Sequence, residues 1–254
     1  MPLFDLTGKK AFITGASRGI GQAIAVALAG AGADLALVAR GEDGLAETAA
    51  QVTALGRKAF VIPADVTQQE SVAAAVAGAI DQLGYLDIVV NNAGGSSFMV
   101  PFLDLRLTGW DKLIRLNLDS AMYVCHAVGP HLVERGSGSV INVASVAGVS
   151  AAPFLAPYGA AKAGLISLTK SLAVEWGALG VRVNALCPGW TATDMNRNLW
   201  EDETAGPATV ATVPMRRWGR PEEMSGPAIF LASEASSYMT GQVLLIDGGQ
   251  TAMS

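Results

Sequence analysis

The sequence predicts an α/β protein with a doubly wound parallel sheet of about seven strands and helices on both faces. Two observations carry that prediction. Short β-rich apolar runs alternate with longer Ala-rich helical stretches along the whole chain. The composition is 51% apolar but only 6% aromatic, with 29 glycines, which suits helices lying close on strands buried on both faces. At 254 residues the chain can bury one large core. No repeat, low-complexity tract or Pro/Ser linker divides it, so residues 1–254 read as a single domain.

The elements follow in order. The first strand is AFIT (11–14), and a glycine-punctuated turn leads to a helix over 20–32. DLALVA (34–39) precedes a helix near 42–56, and AFVIPA (59–64) precedes one near 68–84. LDIVVNNAG (86–94) is a strand running into a turn, with one long helix expected near 108–135. GSVINVAS (138–145) is the fifth strand, and a helix extends from about 157 to about 180. VRVNALCPG (181–189) and QVLLIDGG (242–249) complete seven strands separated by about six helices. Residues 190–218 break the rhythm. They hold Trp190, Trp200, Trp218, Met195 and Met215 with weak periodicity, just beyond a strand's C-terminal end. Such folds place ligands there, so the segment is expected to be an apolar lid.

Charge and composition exclude several classes. A net charge of −5 without a Lys/Arg stripe argues against nucleic acid. No apolar run reaches the roughly 18 residues of a membrane span, and MPLFDLTGKK lacks the order of a signal peptide. Cys125 and Cys187 have no close spacing partner and read as buried thiols in a reducing cytoplasm. His126 and His131 lack ligand-spaced acidic or Cys partners, so no metal site is expected and both read as exposed or interface residues.

The turn after the first strand is TGASRGIG (14–21), containing Gly15, Ser17, Arg18, Gly19, Ile20 and Gly21. Its G-x-x-x-G-x-G spacing differs from the common dinucleotide fingerprint, but the physics is shared. Glycine lets backbone approach a pyrophosphate, and the following helix N-terminus offers oriented N–H donors. The second strand ends in Ala39 and Arg40, with no carboxylate before Glu42. An acid there would hold the ribose hydroxyls and repel a 2′-phosphate, whereas Arg40 and Arg18 favour that phosphate. NADP(H) is therefore expected in preference to NAD(H).

SVAGVSAAPFLAPYGAAKAGL (145–165) carries Ser145, Tyr158 and Lys162 in a setting of small and apolar residues. Tyr158 and Lys162 lie four apart, on one helical face. Taken with TGASRGIG, NNAG (91–94), LNL around Asn117, YGAAK (158–162) and CPGWTATDM (187–195), the order resembles the short-chain dehydrogenase/reductase family over essentially the whole chain. The resemblance implies a Rossmann-type fold and an oxidoreductase acting on a small-molecule ketone, aldehyde or alcohol. It implies Tyr158 as acid/base, Lys162 as its partner, Ser145 as the carbonyl-orienting hydroxyl and Asn117 as holder of a water relay to Lys162. By the same resemblance Asp65 and Val66 border the adenine, and Asn92, Ala93 and Gly94 line the ribose. Pro188, Gly189, Thr191 and Thr193 hold the nicotinamide end. The family usually has an aliphatic residue at the position of Thr191, which leaves open whether contact there is by backbone or side chain.

The chemistry agrees with the resemblance. A phenol with a pKa near 10 is a poor two-way proton carrier near neutrality, and a nearby ammonium lowers it. Lys162, together with an oxidised nicotinamide cation, is expected to do so. Residues 95–99 and 147–155 are mostly small or apolar, with no Arg or Lys clamp for a carboxylate. Asp194 reads as a helix cap, Met195 as lid packing and Asp247 as structural. Resemblance points to 3-oxoacyl-carrier-protein reductases and to gluconate-type polyol dehydrogenases, and it implies a homotetramer. An acyl-carrier partner would call for a basic mouth, for which Arg216, Arg217 and Arg220 are candidates. The alternative of another class is a non-catalytic nucleotide-sensing regulator, disfavoured by the intact Ser, Tyr and Lys set.

Overall fold

The structure, a computed structural model, describes residues 2–253. Seven parallel strands form one sheet in the order β3-β2-β1-β4-β5-β6-β7. They are β1 (Lys10–Thr14), β2 (Asp34–Ala39), β3 (Ala59–Pro63), β4 (Ile88–Asn91), β5 (Gly138–Val143), β6 (Val181–Pro188) and β7 (Val243–Ile246). Alternation with helices forces this parallel pairing, because each helical crossover returns the chain to the same end of the sheet. Helices α1 (Gly19–Gly30), α2 (Glu42–Ala54) and α3 (Gln69–Leu83) connect the first four strands. Ile24 and Leu28 of α1 are fully buried against Ile13 and Leu35. Truncating such a leucine to alanine costs about 2–5 kcal/mol.

The strand order reverses between β1 and β4. That opens a crevice at their C-terminal ends, where open α/β sheets bind ligands. Thr14 on β1 and Asn92 beyond β4 are joined across it: the Asn92 amide N–H donates to Thr14 Oγ1 at 3.0 Å.

The expected long helix is not continuous. It comprises α4 (Leu107–Ile114), a π-helical turn (Arg115–Asp119) and α5 (Ser120–Arg135). One extra residue per turn shifts the register, and Asn117 sits in the middle of the widened turn. Helix α6 (Ala156–Gly177) begins with Pro157 in its first turn and carries Tyr158 and Lys162.

Residues 190–218 contain two short helices, α7 (Arg197–Trp200) and α8 (Ala205–Val210), and α9 (Ser225–Ala232) follows. Nine α-helices among the described residues replace the expected six. The extra ones are short, below the length at which a hydrophobic period is legible. The segment is closed at its base. Gly219 N donates to Trp190 O at 2.8 Å, Ala192 N donates to Gly219 O at 2.9 Å, and the Trp190 and Trp218 rings meet edge to face at 5.5 Å. No helix is long and apolar enough to cross a membrane among the described residues.

Candidate active site

Glycine dictates the packing of the first turn. A Cβ on Gly21 would lie 2.1 Å from Gly15 O and 2.4 Å from Asn92 Nδ2, so only hydrogen fits where α1 meets the loop. A Cβ on Gly19 would instead find only the Thr193 side chain, at 3.7 Å. Room therefore remains in front of α1, whose first turn has no side-chain cap. Behind the loop, buried Thr48 of α2 donates to Ala16 O at 2.9 Å and accepts from Gln22 Nε2 at 3.1 Å. Arg18 and Arg40 are both exposed at this edge, and Ser17 and Ile20 are half-buried between them and the helix. The Thr67 amide, and more weakly the Arg40 guanidinium, hold the Asp65 carboxyl below its usual range. Asp65 Oδ1 also accepts from Thr67 Oγ1 at 2.8 Å, and neighbouring Val66 is buried. This arrangement fits a dinucleotide phosphate: backbone donors at a free helix end, with two cations nearby and Ala39 rather than an acid at the end of the second strand.

The other wall comes from β4, β5 and α6. Asn92 spends its side chain on the glycine loop, donating to Thr14 O and Gly15 O at 3.0 and 3.1 Å, so its own face toward the crevice is backbone. Ala93 N donates to Thr14 Oγ1 at 3.1 Å. A Cβ on Gly94 would lie 2.7 Å from Asn117 Oδ1 and 3.1 Å from Lys162 Nζ, so these three residues are in direct apposition. The Asn117 side chain is fully used, by Gly95 and by Leu113 O at 3.0 Å, which explains how an amide is tolerated inside an apolar run.

Lys162 is buried. Its ammonium donates to Val143 O at 2.8 Å and lies 5.7 Å from the centre of the Tyr158 ring. Burial lowers its pKa to about 8. Burial also raises the Tyr158 phenol above its ordinary value, and the Ser145 hydroxyl beside it only partly offsets this. In the cofactor-free chain desolvation thus dominates at Tyr158, and the expected lowering by Lys162 and a nicotinamide cation belongs to the cofactor-bound state. Ser145 Oγ accepts from Ala147 N at 3.1 Å, which fixes the hydroxyl at the end of β5.

Beyond β6, Pro188 is buried and Gly189 is pressed against Asp247, where a Cβ would lie 2.8 Å from the aspartate's backbone. Thr191 turns its hydroxyl back to Gly189 O at 3.1 Å, leaving backbone as its outward face. Thr193, not Asp194, is the helix cap. Its hydroxyl and amide both reach Asn196 Oδ1, at 3.1 and 2.9 Å, while Asp194 pairs with Arg197. Asp247 is structural as expected, accepting from Gly249 N and Thr251 N at 2.9 and 2.8 Å.

Some features were not legible in the sequence. A buried polar seam runs under the site: Asn91 Nδ2 to Asn142 Oδ1, Asn142 Nδ2 to Thr169 Oγ1, and Thr169 Oγ1 to Leu165 O, each 2.8 Å. It locks β4, β5 and α6 just below the ends that carry Asn92, Ser145 and Lys162. The only signal for it was an Asn in each of two otherwise apolar strands. His131, expected at the surface, is half-buried and accepts from Leu86 N at 3.0 Å through Nε2, while His126 is exposed. No cluster of His, Cys, Asp or Glu suited to a metal occurs among the described residues. Cys125 and Cys187 are free and buried.

A family profile described as enoyl-(acyl carrier protein) reductase matches residues 15–251. The chain belongs to the short-chain dehydrogenase/reductase family. It is therefore an oxidoreductase. Gluconate 5-dehydrogenase of Gluconobacter oxydans is 40% identical over 249 residues, 98% of this chain and 97% of that protein. The 3-oxoacyl-[acyl-carrier-protein] reductase of Synechocystis is 39% identical over 246 residues, 96% of this chain and 97% of that one. The crystal structure of a gluconate 5-dehydrogenase from Burkholderia cenocepacia, in complex with NADP and tartrate, superposes with a TM-score of 0.94 at 38% identity, covering 99% of this chain and 98% of that one.

Proposed function

We propose that this short-chain dehydrogenase/reductase interconverts a ketone or aldehyde with its alcohol, using NADP(H), with Tyr158 as the acid/base. The observation that carries this reading is the meeting of Tyr158, Lys162 and Ser145 with an open-ended glycine loop at one crevice. When bound, the cofactor supplies the hydride and, in its oxidised form, a cation. Reduction leaves an oxyanion on the substrate that must gain a proton. The raised pKa of Tyr158 keeps it a neutral phenol, the form that donates. The Ser145 hydroxyl donates to the same oxygen as charge develops there. In the oxidising direction Tyr158 must ionise, and the Lys162 ammonium then stabilises the phenolate. Asn117 positions Gly95 and, through it, Gly94 against Lys162.

Gly15, Ser17, Gly19, Ile20 and Gly21 hold the diphosphate in this reading, and Arg18 and Arg40 the 2′-phosphate. Asp65 and Val66 border the adenine. The backbones of Asn92, Ala93, Gly94, Pro188, Gly189, Thr191 and Thr193 line the ribose and nicotinamide. The NADP-bound relative supports the phosphate preference. Residues 190–218 form the lid.

The acyl-carrier variant of this reading loses support at Arg217, which is held by both carboxylate oxygens of Glu223 at 2.7 Å, with Arg220 Nε 4.0 Å from the same group. Glu223 thereby offsets one of the three positive charges of a basic mouth. Assembly into a homotetramer is supported by large apolar side chains left uncovered on and before the long helices, Leu103, Leu107 and Val174 among them. Light scattering after size exclusion tests it. The two unpaired buried thiols support a cytoplasmic location.

The decisive experiment follows NADPH oxidation across ketones, sugar acids and 3-oxoacyl thioesters, with NADH in parallel and with Tyr158→Phe. Turnover in the variant falls by at least about 10²-fold, while NADPH binding persists. Substantial residual reduction by that variant removes Tyr158 from its role. Activity on no carbonyl compound revives a nucleotide-sensing protein.

A further inference from the structure

The loop between Ser145 and Tyr158 contains an aromatic residue in a strained backbone conformation. Leu155 N donates to Ala152 O at 3.0 Å, closing a four-residue turn with Pro153 second and Phe154 third. Phe154 has φ of 65°, in the left-handed region. The third position of such a Pro-led turn favours glycine, and an aromatic residue there stores strain. The turn is not loose: Phe154 O accepts from Val100 N at 2.9 Å, which ties it to the loop after β4. Yet the Phe154 side chain is 55% exposed. The fold therefore holds a large apolar group at a conformational cost and gains little burial for it.

A second uncovered apolar group comes from the loop after β6. Met195 is 54% exposed, and its sulfur lies over Gly95, where a Cβ would come within 2.3 Å of it. Gly95 is the residue clasped by Asn117, next to the Gly94–Lys162 contact. Meanwhile one serine of each substrate-side loop is turned inward, while Ser97 is exposed. Ser96 Oγ donates to Phe98 O at 2.7 Å, and Ser150 Oγ donates to Val146 O at 3.1 Å. The one acid of the lid's first turn, Asp194, is paired with Arg197.

We propose that Phe154 and Met195 are specificity-determining walls of the substrate pocket, and that the preferred substrate is a ketone with an apolar body rather than a polyhydroxylated acid. The proposal rests on the carbonyl-reductase reading above and goes beyond it by naming the substrate class. A hexonate would need a donor or acceptor for each hydroxyl and a cation for its carboxylate. The loops offer instead an aromatic face and a thioether, which reward a hydrocarbon surface.

The test compares NADPH-dependent reduction of butanone, benzylacetone and a ketogluconate by the wild type, Phe154→Gly and Met195→Ala. In the wild type kcat/KM is expected to rank benzylacetone first. Phe154→Gly relieves the turn, so its melting temperature holds or rises. Its kcat/KM ratio of benzylacetone to butanone should nevertheless fall at least about tenfold, chiefly through KM. Met195→Ala shifts the same ratio in the same direction. A wild type that ranks the ketogluconate first overturns the proposal and leaves the carbonyl-reductase reading standing. An unchanged ratio in both variants overturns it as well. So does an equal loss on all substrates accompanied by a changed oligomeric state, which would place Phe154 in a subunit contact. No reduction of any of the three by the wild type removes the underlying reading instead.

Discussion

Asn117 and Gly95 exchange two hydrogen bonds: Gly95 N donates to Asn117 Oδ1 at 2.7 Å, and Asn117 Nδ2 donates to Gly95 O at 2.9 Å. One side chain thus replaces the partner that a neighbouring strand would give. It does so from a π-helical turn, which brings it to the loop after β4. Asn117→Ala would leave both backbone groups buried and unpaired, at about 1–3 kcal/mol each. Chemical denaturation should show that loss, and turnover should fall with it because Gly94 no longer sits against Lys162.

Lys162 titrates at about 8 in the cofactor-free chain, below the ordinary lysine value, because of burial. Above that pH the free protein carries a neutral amine. If a bound cofactor accepts a hydrogen bond from Lys162 it favours the ammonium, and binding then takes up a proton when the pH exceeds about 8. Fluorescence titration should show NADPH affinity falling as pH rises through about 8. In Lys162→Met that break disappears and turnover is lost.

Ala39→Asp places a carboxylate where a 2′-phosphate would lie beside Arg40. Steady-state kinetics should show KM for NADPH rising by about ten- to a hundredfold, with a smaller effect for NADH. Equal effects on both cofactors would assign the two arginines to solvent.

Gly21→Ala would force a methyl group to within 2.1 Å of Gly15 O, so strand and helix must part. The variant should lose NADPH binding and melt several degrees lower. Gly30→Ala, where a Cβ meets nothing within 4 Å, is the control and should match the wild type.

His131 accepts from Leu86 N, which requires a neutral imidazole, and burial with nearby Arg135 lowers its pKa. For a base lowered on folding, the unfolded chain takes up the proton first. The stabilisation is therefore complete above the unfolded value of about 6.5 and is lost as pH falls through it toward the lower folded value. The melting temperature should drop across this range in the wild type. His131→Gln, a permanent neutral acceptor, should flatten the response.

The strands were legible because parallel-sheet strands are continuous apolar runs between glycine punctuation, and DLALVA forms β2 residue for residue. Tyr158 and Lys162 were legible because helical spacing is local. What escaped the sequence was set by tertiary contact. The break at Asn117 depends on Gly95, a partner distant in sequence. The short helices α7 and α8 lack a full hydrophobic period. The raised pKa of Tyr158 depends on the depth at which α6 is buried, whereas charge counting along the chain saw only a lysine one turn away. Arg217 read as a free cation until folding placed Glu223 across from it.

The pairing of Thr191 with Gly219, backed by the two tryptophans, has a thermodynamic consequence for any ligand that the intervening chain embraces. Bringing the ends of a long loop together carries an entropy penalty that grows slowly with length. Here that penalty is met once, during folding, by two backbone hydrogen bonds and an aromatic contact. A ligand then needs to order only the segment's tip, and its intrinsic affinity is correspondingly less diluted.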